Sequence, residues 1–276
     1  MSQEEKYSIR ELQMNVLNIL KFVDQVCRDN DIQYYLAYGT LLGAVRHQGF
    51  IPWDDDVDLW MFRADFERFV KAMGQYRDGR YQLHCPENDD DWPLNFGKVF
   101  DTHTKVDQSY FIKPSVLGTY VDIFPLDGMA EDGKTARREF IKFKVMNSLR
   151  STANHSYFPE GTRKLLIKKA SAVVGRIRST KQWTNAIEKD ARKRKTDDGN
   201  YVGAVTCQYY SWQKNRFRKE YFDECRDVPF EDGVFRIPAR YDEILKTIYG
   251  DYMQLPPEDK RHATHIYKIL SLGENE

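Results

Sequence analysis

Residues 51–59 read IPWDDDVDL, which places four carboxylates within five positions at the start of an apolar segment. The apolar segment predicts a buried strand. Alternate residues of a strand share a face, so Asp56 and Asp58 point the same way while Val57 and Leu59 enter the core. Two carboxylates this close repel each other unless a cation lies between them. Oxygen ligands of this kind favour Mg²⁺ or Mn²⁺, so the stretch predicts a metal site that includes Asp56 and Asp58.

Two other interpretations of this acidic run are weaker. A solvated acidic turn would not be bracketed by an apolar strand. A calcium loop of the EF-hand type needs glycine at its sixth position. Counted from Asp54, that position is Leu59, so we set the calcium loop aside.

A glycine-threonine pair precedes the acids, in residues 38–43, YGTLLG. It follows a predicted strand and opens a predicted short helix, where backbone N–H groups can approach a phosphate. Gly39 and Thr40 are therefore candidate substrate-binding residues, although such a pair is often only a turn. Arg46 lies one or two helical turns further on, and its guanidinium could either bind donor phosphate oxygens or lie on the surface.

A third carboxylate lies in residues 120–128, YVDIFPLDG. Asp122 is flanked by apolar residues on both sides, and an isolated buried carboxylate is costly unless it is paired or bound to a cation. We expect Asp122 beside Asp56 and Asp58, either as a metal ligand or as the general base that takes the acceptor proton. Asp127 is predicted to cap a turn at Gly128.

The basic residues are concentrated in one part of the chain. The 276 residues carry no net formal charge, but residues 137–195 contain 17 Lys and Arg against 4 Asp and Glu. We predict an α+β catalytic core over residues 1–134, with a mixed sheet flanked by helices. A basic helical insertion or subdomain follows at 135–200, and residues 201–276 pack back on the core.

The basic segment should form two or three helices, and one of them carries an apolar stripe of Leu166, Ala170, Val173 and Ile177. These helices could attract an anionic acceptor or an anionic membrane leaflet, or they could cover the catalytic core with a solvated face. We expect no nucleic-acid partner, because aromatic residues are not interleaved with the basic ones in a recognisable module.

Cysteine usage and hydropathy bear on location. The four cysteines are dispersed without a CxxC pair, which disfavours a zinc cage and suits reduced thiols. No run of 18 apolar residues predicts a membrane span, and the first residues lack an apolar signal core. We expect a cytoplasmic protein, with peripheral contact at the inner face of the membrane as an open alternative.

Three stretches together resemble the LicD-type phosphotransferases, the family that also contains the fukutin-like proteins. Residues 34–61, YYLAYGTLLGAVRHQGFIPWDDDVDLWM, are similar to the long first block of that family. Residues 120–128 and 230–257 resemble its second and third blocks. The resemblance covers most of the chain and is weakest across the basic helices.

The resemblance implies a nucleotidyltransferase-like fold with a Gly-Thr turn, a strand carrying two carboxylates and a third carboxylate on a neighbouring strand. Gly39-Thr40, Asp56 with Asp58, and Asp122 match these features in order. Lys98, within the further block FGKVFDTHT, is implied as a donor-site residue or a surface residue. Independently of the resemblance, His265 is a candidate contact to a donor phosphate.

The resemblance also implies the reaction. Family members use CDP-linked alcohol donors, and similar bacterial ones transfer phosphocholine from CDP-choline to a sugar hydroxyl of teichoic acid or lipopolysaccharide. The expected partners are a CDP-alcohol and a glycan or lipid-linked glycan, with Mg²⁺ or Mn²⁺ as cofactor. Transfer of ribitol or glycerol phosphate, a nucleotidyltransferase acting on a small hydroxylated acceptor, and a non-catalytic binding protein stay open as alternatives.

A donor with a choline end would need a pocket for a quaternary ammonium, for which an aromatic cage is one solution. The sequence does not select among the aromatic candidates, for each of which core packing is the default. They are Trp53, Trp60, Trp92, Tyr110, Tyr209 and Trp212.

Overall fold

The computed structural model describes residues 7–107, 116–155, 164–207, 210–263 and 268–273. Within these ranges, the α-helices are α1 (Ile9–Asp29), α2 (Tyr38–His47), α3 (Arg63–Met73), α4 (Gly133–Ala153), α5 (Leu165–Gly175), α6 (Thr180–Ala191) and α7 (Tyr241–Tyr249). The strands are β1 (Tyr35–Leu36), β2 (Asp58–Phe62), β3 (Tyr81–His84), β4 (Gly97–Asp101), β5 (Lys105–Asp107), β6 (Val116–Leu117), β7 (Tyr120–Met129), β8 (Tyr201–Gly203), β9 (Phe217–Arg218), β10 (Cys225–Phe230), β11 (Gly233–Pro238) and β12 (Lys268–Ser271).

The central sheet is mixed and has the order β1-β2-β7-β4-β3, with β8 added to the far end of β7 and β9 added to β8. β2 and β7 run parallel, whereas the other pairs in this sheet are antiparallel. β7 is buried along its whole length, because it is the strand that the others flank. The predicted mixed sheet with flanking helices is confirmed.

The register of this sheet positions the predicted acids. Asp58 at the start of β2 lies opposite Asp122 on β7, and Lys98 on β4 lies opposite Asp122 from the other side. Neighbouring residues in a sheet are close enough to interact directly. Two carboxylates and one ammonium from three adjacent strands therefore meet at one end of the sheet.

α1 shows how the local sequence sets an element. Ser8 and Glu11 form a capping box, which satisfies backbone donors at the start of the helix. Buried residues of α1 then recur at helical spacing and pack on the sheet. The helix ends at Asp29. Ile244, Leu245 and Ile248 of α7 belong to the same core cluster, so the C-terminal segment contributes to this core.

The basic segment forms α4, α5 and α6, which confirms the predicted helices. Phe143 of α4 and Ile187 of α6 pack with Met129 at the end of β7 in a second apolar cluster. The apolar stripe of α5 points the other way: Leu166, Val173 and Ile177 are exposed. The domain boundaries at residues 134 and 200 stay a prediction.

A buried ion network ties these helices to the sheet. Arg63 donates through Nε and Nη2 to Asp127 at 2.8 and 2.6 Å, and through Nη1 to Glu188 of α6 at 2.9 Å. The prediction that Asp127 caps a turn at Gly128 is wrong, since β7 continues through Gly128 to Met129 and the carboxylate is held by Arg63. None of the described helices combines the length and apolar character that crossing a membrane requires.

Candidate active site

A cavity of about 920 Å³ opens beside the acidic stretch. Its wall is built from the start of α2, from residues 51–58, from Tyr210, and from the end of α7 with the loop that follows it. The polar and aromatic lining residues are Tyr38, Arg46, Trp53, Asp54, Asp56, Asp58, Tyr210, Tyr249, Asp251, Tyr252, Gln254, Lys260 and His262. Asp56 and Asp58, the predicted metal ligands, thus face the same cavity as Gly39, a predicted substrate-binding residue.

Backbone hydrogen bonds hold Asp58 in place. Its N–H donates to Thr40 Oγ1 at 2.9 Å, and its carbonyl accepts from the Ala37 N–H at 2.9 Å. One residue earlier, the Val57 carbonyl accepts from the Asp122 N–H at 2.9 Å. Thr40 is buried and does not line the cavity, so its hydroxyl visibly orients the strand that carries Asp58. A phosphate contact by Thr40 stays a prediction.

The carboxylates form a tight cluster. Ligand oxygens of Asp54, Asp55 and Asp56 lie within 4.8 Å of one another. Burial, followed by the nearby charges of Asp56, Asp122 and Asp54, raises the pKa of Asp58 well above its usual value, although Lys98 opposes the shift. Acids that destabilise each other's charge in this way are a suitable environment for a divalent cation.

The backbone at the start of α2 is unusual. Tyr38 has φ of 42°, a region that bulky residues rarely occupy and that is typical of functional sites. At the next position, a Cβ added to Gly39 would lie 2.6 Å from Asp54 Oδ2. A side chain at this position would force the Asp54 carboxylate to move. The substrate contact at Gly39 stays a prediction.

Asp122 and Lys98 are buried behind the residues that line the cavity. Lys98 Nζ donates to Asp122 Oδ1 at 2.5 Å, and both residues are buried. The ammonium also lies 3.3 Å from the centre of the Tyr120 ring. Neither Lys98 nor Asp122 lines the cavity. Because Lys98 is buried, it is not a surface residue. The contact of Lys98 with the donor substrate stays a prediction. The role of Asp122 as metal ligand or general base also stays a prediction.

Arg46 and His265 are the two side chains predicted to contact donor phosphates, and only Arg46 belongs to the described residues. Arg46 lines the cavity, and its Nη1 donates to the Tyr252 carbonyl at 2.8 Å while Nε donates to His47 Nε2 at 2.9 Å. His265 lies outside the described residues. His262, three positions earlier, lines the cavity.

Aromatic side chains line part of the same cavity. Of the described candidates named from the sequence, only Trp53 lines it. Trp60 and Trp92 are fully buried core residues, Trp212 does not line it, and Tyr110 and Tyr209 lie outside the described residues. The other aromatic lining residues are Tyr38, Tyr210, Tyr249 and Tyr252.

Sequence reasoning missed the tyrosines and Asp54 as site residues. The hydroxyls of Tyr210 and Tyr249 lie 3.0 Å apart, and the ring of Tyr210 stacks on that of Tyr38 with centroids 5.5 Å apart. Asp54 could have been found, because it belongs to the same acidic run. Tyr249 and Tyr252 lie in the third block of the family resemblance, but nothing in their spacing separates them from core tyrosines.

A mixed sheet, a Gly-Thr pair at the start of α2 and acids on two parallel strands are the features of a nucleotidyltransferase-like protein. The family model for the LicD/FKTN/FKRP nucleotidyltransferase domain matches residues 31–172. The chain is 32% identical to the lipopolysaccharide cholinephosphotransferase LicD of Haemophilus influenzae over 271 residues, 97% of this chain and 99% of that protein.

A human protein shares a shorter similarity with this chain. Ribitol 5-phosphate transferase FKRP of Homo sapiens is 39% identical over 54 residues, which are 20% of this chain and 11% of that protein. The family model covers the first two blocks recognised in the sequence, and the similarity to the full-length relative extends over 97% of this chain. The protein belongs to the LicD family, whose domain is nucleotidyltransferase-like.

Proposed function

We propose that the protein transfers phosphocholine from CDP-choline to a sugar hydroxyl of a cell-surface glycan, lipopolysaccharide or teichoic acid, with a divalent cation at the acidic cluster. The observation that carries the proposal is the composition of one cavity. Asp54, Asp56 and Asp58 line it together with Trp53, Tyr210, Tyr249 and Tyr252. A CDP-choline molecule presents the matching chemistry, a diphosphate that binds metal and a quaternary ammonium that binds aromatic faces.

The acidic cluster fits Mg²⁺ or Mn²⁺. Its donors are carboxylate oxygens, the ligands these ions prefer. Burial and, after it, the charges of neighbouring acids raise the pKa of Asp58, and a bound cation would offset both effects. Asp56 and Asp58 are the proposed ligands, with Asp54 added because its oxygens lie close to those of Asp56. A bound ion would neutralise charge on the donor diphosphate and on the departing CMP.

The chain's own groups would orient the two substrates. The acceptor hydroxyl oxygen attacks the phosphorus that carries choline, the bond from that phosphorus to the CMP oxygen breaks, and CMP leaves with the bonding electrons. The hydroxyl proton passes to a carboxylate, for which we propose Asp122. Gly39 and Arg46, both on the cavity wall, are proposed to hold donor phosphates. No covalent intermediate with the protein is required.

Asp122→Asn tests the role of the third carboxylate. The substitution keeps the side-chain volume and a hydrogen-bond acceptor for Lys98, but it cannot take a proton. We expect kcat to fall about a hundredfold or more while KM for the donor changes little. Steady-state kinetics on the folded variant measure this effect. Unchanged turnover would remove Asp122 from the mechanism and leave the metal site standing.

The identity of the transferred alcohol has a second candidate, ribitol. The similarity to a ribitol 5-phosphate transferase favours CDP-ribitol as the alternative donor. Such a polyol has hydroxyls where choline has a cation, so it would gain little from the aromatic wall. A nucleotidyltransferase would instead cleave a nucleoside triphosphate and release pyrophosphate.

Calorimetry with CDP-choline, CDP-ribitol and CDP-glycerol tests donor choice. We expect CDP-choline to bind most tightly with Mg²⁺ present and to lose most of that affinity in EDTA. Tyr249→Leu should weaken CDP-choline more than CDP-glycerol if the aromatic wall binds the ammonium. Preference for CDP-ribitol would transfer the proposal to a polyol phosphate, and absence of binding by all three donors would overturn it.

A further inference from the structure

The outward face of α5 carries apolar side chains that the fold leaves uncovered. Leu166 is 83% exposed, Val173 is 71% exposed, and Ile177, just after the helix, is 79% exposed. Single exposed apolar residues are ordinary, but a group of them on one face marks an interaction surface. These three residues and Ala170 are spaced three or four positions apart, so they share one helical face.

The packing of the helix fixes this orientation. Ala172 and Gly175 are buried on the opposite face, where a Cβ at Gly175 would lie 2.2 Å from the Leu149 carbonyl of α4. The Gly175 carbonyl also accepts a hydrogen bond from Trp183 Nε1 at 2.8 Å. Rotating α5 to bury Leu166 and Val173 would break this close packing.

Cations accompany the apolar face. The exposed basic residues in and beside α5 are Lys164, Lys168, Lys169, Arg176 and Arg178. Residues 164–187 contain no Asp or Glu. An amphipathic helix with an apolar stripe and flanking Lys and Arg suits the boundary between the headgroups and acyl chains of an anionic bilayer.

We propose that α5 docks the protein on an anionic lipid surface, with Leu166, Val173 and Ile177 inserted among the acyl chains and the basic residues on the headgroups. Charge decides among the possible occupants. A second copy of the same face would place five cations against five cations, which disfavours self-association. The surface is separate from the cavity, so vesicle binding and transferase activity can each fail without the other.

Vesicle flotation of the full-length protein tests the proposal. We expect binding to vesicles of phosphatidylcholine mixed with phosphatidylglycerol, little binding to phosphatidylcholine alone, and weaker binding as salt rises. The double variant Leu166→Gln, Val173→Gln should lose affinity about tenfold or more. The charge variant Lys168→Gln, Lys169→Gln, Arg176→Gln should lose about as much on anionic vesicles.

Matched substitutions elsewhere serve as controls. Val234→Gln with Met253→Gln removes two other exposed apolar side chains, and Lys71→Gln, Arg77→Gln, Lys214→Gln removes three other exposed cations. Both control variants should bind vesicles as the wild type does. The proposal is overturned if the wild type does not bind anionic vesicles. It is also overturned if the control variants lose as much vesicle affinity as the α5 variants. A dimer that the α5 apolar variant dissociates would instead assign the face to a second copy.

Discussion

Asp58→Asn is expected to lower kcat by about a thousandfold or more, because it removes a proposed ligand for the ion that stabilises the leaving group. The backbone hydrogen bonds that position residue 58, to Thr40 and Ala37, do not depend on the carboxylate and should persist. The loss should therefore appear without unfolding. Titration of Mn²⁺ followed by its paramagnetic effect on water relaxation should show weakened metal binding.

The same substitution should stabilise the metal-free protein. Burial and neighbouring acids raise the folded-state pKa of Asp58, so the ionised carboxylate opposes folding. For an acid with a raised folded-state pKa, stability falls as pH rises from the unfolded-state value, about 3.9, through the folded-state value. In EDTA at pH 7, Asp58→Asn should raise Tm by a few degrees, and the gain should vanish below about pH 4.

An exposed acid provides the control for both readouts. Asp78→Asn, on the surface after α3, should change neither activity nor the pH dependence of Tm. A folded Asp58→Asn protein with wild-type transfer rates would contradict the metal assignment. A lower Tm in EDTA at pH 7 would contradict the proposed repulsion among the acids.

Arg63→Met is expected to lower the free energy of unfolding by about 3–5 kcal/mol, because it leaves two buried carboxylates without their shared cation. Burial alone would lower the pKa of Arg63, but the charges of Asp127 and Glu188 outweigh burial and raise it. Burial raises the pKa of Glu188, and Arg63 opposes that shift. Without Arg63 the loss of stability should be largest at neutral pH and smaller at acidic pH, where Glu188, whose pKa burial raises, becomes protonated.

Arg68→Met is the matched control on the same helix. Arg68 is exposed and pairs with Asp65 at 3.1 Å, so its loss should cost at most about 1 kcal/mol. Urea denaturation of both variants measures the difference. Equal, small effects of the two substitutions would show that the Arg63 network contributes little to stability.

The strength of local signals explains how much could be predicted. Residues 58–62 combine a buried apolar pattern with one acid, Asp58, so β2 and its carboxylate were predicted closely. The continuation of β7 to Met129 was missed because Pro125, Asp127 and Gly128 indicate a turn. The strand continues because Arg63 neutralises Asp127 and β8 pairs with the strand end. Both partners are distant in sequence.

The candidate site likewise contains some residues that the local sequence predicts and others that it does not. Asp56 and Asp58 were predicted because the acidic run and the apolar segment after it are adjacent in sequence. Both line the cavity, although Asp56 precedes β2 and only Asp58 belongs to the strand. Tyr210 and Tyr249 were not, because they reach the cavity only when α7 and the preceding segment fold back beside α2. The exposure of the apolar stripe of α5 could not be predicted either, because helical spacing shows that a face is apolar but not what covers it.

Product analysis of a single reaction tests the central claim most directly. The protein is incubated with CDP-choline, Mg²⁺ and a lipopolysaccharide or teichoic acid acceptor, and products are followed by ³¹P NMR and mass spectrometry. The account predicts CMP release matched by phosphocholine on the glycan, and neither product in EDTA. Pyrophosphate release from a nucleoside triphosphate with nucleotide on the acceptor, and no reaction of CDP-choline, would contradict it.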